Sequence, residues 1–171
     1  MADQPDETTG DEPSPNGSEA GEGQPRINIL AQYIKDLSFE NPLGAEAVLA
    51  IAQNPDVKVE INTNARPMDE GSEGTHEVTL FIRGEAMAGD TTLFIAELTY
   101  GGVFQLENVP KESLGAALLI EGARMLFPFA RNIVADATRD GGFPPLMINP
   151  IDFVALYRDQ HITRQEGGET G

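Results

Sequence analysis

The sequence contains no cysteine and no tryptophan, and only two histidines. It sets 11 lysines and arginines against 28 aspartates and glutamates in 171 residues. The missing thiols exclude disulfides, cysteine nucleophiles and thiolate zinc sites together. The shortage of bases leaves a formal net charge of −17, which lacks the basic patch that nucleic-acid phosphates demand and disfavours anionic membrane surfaces. Long hydrophobic runs are scarce too, and none approaches the ~20 residues expected of a membrane span. The opening residues carry neither a basic stretch nor an apolar one, so no signal peptide is expected and the cytoplasm is the simplest compartment.

Catalysis has little to draw on. His76 stands at a loop-to-strand junction with no second histidine at ligand spacing. His161 is expected to end the last helix, where a cation suits the dipole. Asp136 and Asp140 share a helix face, but no nucleophile or donor cluster accompanies them, and a solvated helix end explains both. The glycine pairs lack the strand-to-helix setting of a phosphate-binding loop; a bulge or tight turn at Gly101-Gly102 is expected instead. Neither an enzyme nor a cofactor or metal site is expected.

What the chain does have is an uneven distribution of charge. Residues 1–25 hold seven acids, no base, and no valine, isoleucine, leucine or aromatic residue. Such a segment cannot bury enough surface to offset its own ordering entropy, so a disordered acidic extension is predicted. Residues 165–171 predict a short disordered tail in the same way, leaving one folded domain over residues 26–164. That domain is acidic in its own right, since −10 remains once the seven N-terminal acids are set aside. Basic partners are favoured.

Along the folded part, Ile27 to Glu40 reads as a strand closed by Asn41-Pro42, and Ala45 to Gln53 as a short helical turn. Val57 to Asn62 alternates strictly and predicts a half-buried strand, followed by a loop over residues 64–75. Glu77 to Met87 and Thr91 to Tyr100 predict a hairpin about Ala88-Gly89-Asp90, with Gly101-Gly102 breaking the last strand. After Pro110 the character changes. Ser113 to Ala137 is helical in spacing, with Pro128 predicted to kink it or begin a second segment. Much of it, notably Ala116 to Ile120, is apolar around most of its circumference, which a small domain accommodates by covering one side with its sheet and the other with a second subunit. Asn149-Pro150 is the predicted start of the last helix. Strands first and helices afterwards give an α+β fold with an antiparallel sheet.

Two surfaces stand out as candidates for binding. In Tyr33 to Pro42 a strand puts Leu37 and Phe39 on one face and Asp36, Ser38 and Glu40 on the other. Asp36 and Glu40 are then ~13 Å apart, too far to share a proton and well spaced to show charge to a basic partner. The second candidate combines Val57, Val59 and Ile61 with Phe153, Leu156 and Tyr157, either as core or as an apolar groove for extended chain.

Four blocks carry a family resemblance. Tyr33-Ile34-Lys35-Asp36-Leu37-Ser38-Phe39-Glu40-Asn41-Pro42 resembles the first-strand signature of the SecB protein-export chaperones. Phe94 to Phe104 with its double glycine, Leu126-Phe127-Pro128-Phe129-Ala130-Arg131, and Gly142-Phe143-Pro144-Pro145 running on to Phe153 follow in the family's order. The resemblance covers about residues 26–163. It implies a four-stranded antiparallel sheet packed with two C-terminal helices, assembled as a homotetrameric dimer of dimers. It implies a cytoplasmic, ATP-independent holdase that keeps precursor proteins unfolded and passes them to the SecA motor. By the same resemblance, Asp36, Glu40, Ile95 and Glu97 contact the motor's basic, zinc-bearing tail, and Val57, Val59, Ile61, Phe153, Leu156 and Tyr157 line the client groove. The family places an apolar residue where His161 stands, and residues 43–55 are unusually alanine-rich here. Both differences predict a shifted client preference. The plain alternative is an acidic oligomeric adaptor whose groove is only core.

Overall fold

A computed structural model describes residues 23–51, 54–68 and 74–167, with side chains as far as residue 160. The predicted extension over residues 1–22 and the last four residues of the predicted tail lie outside these segments. Four antiparallel strands, β1 (Arg26–Glu40), β2 (Asp56–Pro67), β3 (Thr75–Ala88) and β4 (Thr91–Glu107), form one sheet in the order β1-β4-β3-β2. Helix α1 (Ala45–Ala50) lies between β1 and β2 in the chain. A long helix α2 (Lys111–Asp140) follows the sheet, and α3 (Phe153–Gly167) ends the described chain. The fold is α+β, as the order of elements predicts.

Alternation sets the two faces of the sheet. In β3, Val78, Leu80 and Ile82 are fully buried, while Thr79, Phe81 and Arg83 between them are half-buried. The buried side faces α2, whose Leu118, Ala123, Leu126, Ala130 and Val134 complete a core with Leu98 and Phe104 of β4. Among the described residues no helix lies on the other side of the sheet. A smaller cluster closes the sheet's far end, where Ala47 of α1 meets Leu93, and Phe39, Phe94 and Phe143 stack with ring centroids 4.8–6.0 Å apart.

Several expectations need correction. Strand β2 runs on to Pro67 and β3 begins at Thr75, so residues 64–67 are strand rather than loop. Because β2 is an edge, Pro67 can close it without depriving a second neighbour of a hydrogen bond. Gly101-Gly102 neither breaks nor bulges β4, which passes straight through with partners on both sides. Where β1 pairs with β4 the bulges are in β1, at Leu30 and Lys35, on either side of the stretch that pairs with the glycines, and β4 has its own register shift against β3 at Leu93, far from them. Pro128 does not start a new segment: α2 is continuous across it, and its irregularity falls one turn earlier, as a π-helical stretch Ala117–Gly122. By length and composition α2 could cross a membrane, contrary to the sequence reading; its apolar side is spent on the sheet, as in a core helix. Helix α3 starts at Phe153, not at Asn149-Pro150. Asp152 is the cap, its Oδ1 accepting from the N–H groups of Val154 (3.0 Å) and Ala155 (3.1 Å). The helix extends to Gly167, so the backbone of His161 lies inside it and that of residues 165–167 is helical rather than a disordered tail.

Candidate functional site

The face of the sheet that no helix covers brings the acidic residues of β1 and β4 together. Strand register sets Asp36 beside Thr99, Ser38 beside Glu97, and Glu40 beside Ile95, and residues paired in this way point to the same face. Asp36 and Glu40 are exposed; Ile95 and Glu97 are half-buried between them and β3. Glu97 does not stand alone. Arg83 of β3 is ion-paired to it and also reaches Glu85 at 3.5 Å. Asp36 and Glu40 are thus the outer charges of a row whose inner member is already neutralised.

Beside this row lies a cluster that no reading of the sequence singled out. Glu77 of β3 points to the same open face, yet its side chain is only 5% exposed. The Tyr33 hydroxyl donates to its Oε1, Lys35 Nζ reaches Oε1 at 3.1 Å, and Arg66 Nε reaches Oε2 at 2.5 Å. The partners come from β1 and β2, so the carboxylate ties both edge strands to β3. Strand β4 lies between β1 and β3, and Tyr33 crosses it at Gly101, where a Cβ would come within 2.7 Å of the Tyr33 ring. Hydrogen bonding from Tyr33, then from Lys35 and Arg66, holds the Glu77 carboxyl down at about 2 against the opposing effect of burial. Burial, then the bond to Glu77, pushes the Tyr33 hydroxyl up to about 12.

The helix-covered side opens along β2 into an apolar cleft of about 510 Å3, lined by Val57, Val59, Ile61, Leu146, Ile151 and Leu156 among others. A second cavity of about 280 Å3 shares Val57 and Leu146 with it and continues to Leu93, Phe94, Phe143 and the Pro144-Pro145 pair. One wall is the irregular stretch between α2 and α3. It is pinned by Thr138, fully buried on α2, whose hydroxyl oxygen accepts from the Leu146 N–H at 2.8 Å while the hydroxyl itself donates within its helix. Leu146 lies flat against the sheet at Gly84, where a Cβ would sit 2.5 Å from its Cδ2.

Of the six groove candidates, Val57, Val59, Ile61 and Leu156 line the cleft. Phe153 does not. It is buried in the core, edge-on to Phe127 at 5.7 Å, at the first helical position after the Asp152 cap. Tyr157 is half-buried and turned toward α2, its hydroxyl 3.6 Å from where a Gly115 Cβ would be. The wall residues Leu146, Met147, Ile148 and Ile151 were missed. An apolar stretch with neither helical nor strand periodicity was the available signal, and Pro144-Pro145 mark it as extended chain. Among the titratable candidates, His76 Nδ1 lies 3.3 Å from the Gly74 carbonyl, and Asp136 and Asp140 are both paired to Arg139 at a solvated helix end.

An antiparallel sheet with one face on a long helix, an apolar cleft along one edge and an acidic row on the open face is the layout of a binding protein with two distinct surfaces. Comparison with known proteins makes the class specific. The family model described as preprotein translocase subunit SecB matches residues 20–164, and the chain belongs to the SecB family. Protein-export protein SecB of Azorhizobium caulinodans is 51% identical over 155 residues, spanning 91% of this chain and 95% of that protein. The protein of the same name from Xanthobacter autotrophicus is 52% identical over 152 residues, spanning 89% and 94%. Among solved structures, a Mycobacterium tuberculosis SecB-like chaperone in complex with an antitoxin peptide superposes with a TM-score of 0.62 at 18% identity, over 74% of this chain and 91% of that one. That likeness is one of fold. The family is one of chaperones rather than enzymes.

Proposed function

We propose that this SecB-family chain holds unfolded precursor proteins in the cytoplasm without ATP and hands them to the SecA motor. The observation that carries the reading is the cleft along β2. Its two cavities share Val57 and Leu146, and Val57 and Val59 are 40% and 39% exposed in a lining that is mostly apolar, with Asn54 and Asn149 as its polar members. An open apolar trough beside a sheet edge accepts extended chain of many sequences, each contact weak and the sum tight. Folded proteins keep their apolar segments inside and are refused without any energy source. Self-association as a dimer of dimers is supported by apolar side chains this chain leaves in water: Leu30, Ile34 and Leu37 on edge strand β1 and Phe129 on α2. The acidic row of Asp36, Glu40 and Glu97 with Ile95 supports docking of the motor's basic tail.

The test is refolding of an unfolded precursor. Substoichiometric tetramer should delay it without ATP, and Val59→Glu should reduce the delay about tenfold while leaving the native mass unchanged, since it puts an unpaired charge in the cleft. An undiminished delay with Val59→Glu would overturn the cleft as the holding site. Asp36→Ala and Glu40→Ala should instead weaken binding of the motor tail, more so at low salt, and leave the delay intact.

A further inference from the structure

We propose that Glu77 is a positioning residue for motor docking: it clasps the bulge at Lys35 and thereby turns Asp36 and Glu40 to the open face. The inference rests on the docking reading above. Strict alternation from Tyr33, which faces the open side, would put Lys35 on that side and Asp36 underneath, toward the helices. The register shift between Ile34 and Asp36 adds one residue to β1 and reverses this. From Asp36 onward the acids face the open side, and Leu37 and Phe39 point to the helix-covered side, where Phe39 packs into the smaller cluster and Leu37 stays exposed. A bulge leaves its extra residue without a ladder partner, so something else must hold it. Here Lys35 Nζ binds both oxygens of Glu77, at 3.1 and 3.3 Å, two strands away. Tyr33, two residues earlier, donates to the same carboxylate. Gly101 is what lets them reach it, because any side chain there would stand in the path of the Tyr33 ring.

The cluster is built rather than incidental. A carboxylate on an uncovered sheet face is ordinarily solvated, whereas Glu77 is closed off by its partners and anchored from β2 by Arg66. The docking row is therefore held in shape by a neighbouring charge cluster that does not itself join the row.

Charge alone and positioning predict opposite signs for one substitution. Lys35→Met removes a positive charge beside the acidic row, so by electrostatics alone a basic ligand should bind more tightly. If the clasp positions Asp36, the same change should weaken binding. Titration of the full-length tetramer with the zinc-loaded tail peptide of the motor should give about a fivefold loss for Lys35→Met, the effect of one lost charge-assisted contact. Tyr33→Phe changes no charge and should give about threefold. The delay in precursor refolding should not move in either variant, which a general loss of structure would not allow. Tighter tail binding by Lys35→Met, or unchanged binding in both variants, overturns the clasp. In that event Asp36→Ala and Glu40→Ala separate the two failures. If they still weaken tail binding, docking stands and only the clasp falls; if they too have no effect, the docking reading falls with it.

Discussion

Each face of this sheet carries a side chain lying across a glycine at the edge of a binding surface, and the two are held in opposite ways. On the covered face Leu146 lies over Gly84, kept there by apolar neighbours and a single hydrogen bond from its own backbone to Thr138. On the open face Tyr33 lies over Gly101, kept there by a carboxylate that three charged or polar groups share. An aliphatic side chain at the floor of a cleft can shift between rotamers at small cost, which suits a surface that must accept many sequences. A ring fixed by a buried charge cannot drift without breaking an ionic network, which suits a surface that must present two carboxylates at one spacing. The chain has built its tolerant surface from shape and its specific surface from charge.

The sharpest break in this comparison is between neighbours in sequence. Leu80 and Phe81 sit side by side on β3 and point to opposite faces; Leu80 is fully buried and Phe81 half-buried. Leu80→Ala should cost about 3 kcal/mol, through lost transfer energy and the cavity left in the core. Phe81→Ala should cost about 1 kcal/mol, because much of the ring already meets water. Denaturant unfolding at fixed protein concentration measures both. Equal losses would mean that the open face is covered in the assembly.

A smaller effect tests the glycines themselves. Gly101→Ala sets a Cβ against a rigid ring 2.7 Å away and should cost about 2 kcal/mol, since neither Tyr33 nor the strand can yield. Tail binding should fall with it. Gly84→Ala meets only the free end of Leu146 at 2.5 Å, so stability should change by less than about 1 kcal/mol while client preference shifts with the cleft floor. Melting temperatures, paired with tail titration and refolding delay, read all four outcomes. A Gly84 variant that disrupts docking, or a Gly101 variant that spares it, would erase the distinction between the faces.

Which parts were legible in the sequence follows from the same division. Alternation in β3 and the spacing of α2 were plain, because burial of Val78, Leu80 and Ile82 against Leu126 and Ala130 depends on residue type at a fixed period. The facing of Asp36, Ser38 and Glu40 was legible for the same reason, within a single uninterrupted stretch of β1. The bulge at Lys35 was not, since a register shift belongs to a pair of strands and leaves no mark in one of them. Glu77 was invisible as a site because its partners Tyr33 and Lys35 lie more than 40 residues away, and nothing local distinguishes it from the other acids. Phe153 was misassigned to the groove because helical spacing is indifferent to where a helix begins. The capping bonds of Asp152 fix that start at Phe153 rather than Pro150, and each residue of shift rotates a side chain by about 100°. Gly101-Gly102 was taken for a break because glycine marks both turns and close approaches, and only the Tyr33 ring above it tells them apart.

A small pH dependence is confined to the open face. With its folded-state value lowered to about 2 from an ordinary 4.5, Glu77 contributes stability that is fully present above 4.5 and lost as pH falls toward 2. Tyr33, raised from 10 to about 12, contributes stability that is fully present below 10 and lost as pH rises toward 12. Between those limits neither Glu77 nor Tyr33 titrates, so docking geometry should be flat in pH across the physiological range. Lys35 and Arg66 are about half exposed, and solvent screening reduces the Glu77 contribution to about 1–2 kcal/mol. Urea unfolding at pH 7 and pH 3 should therefore show wild type losing about 1 kcal/mol more than Glu77→Gln on acidification, because the variant has no carboxylate left to protonate. An identical acid loss in the two proteins would put the carboxylate in water, and the open face would then be held by its strands alone.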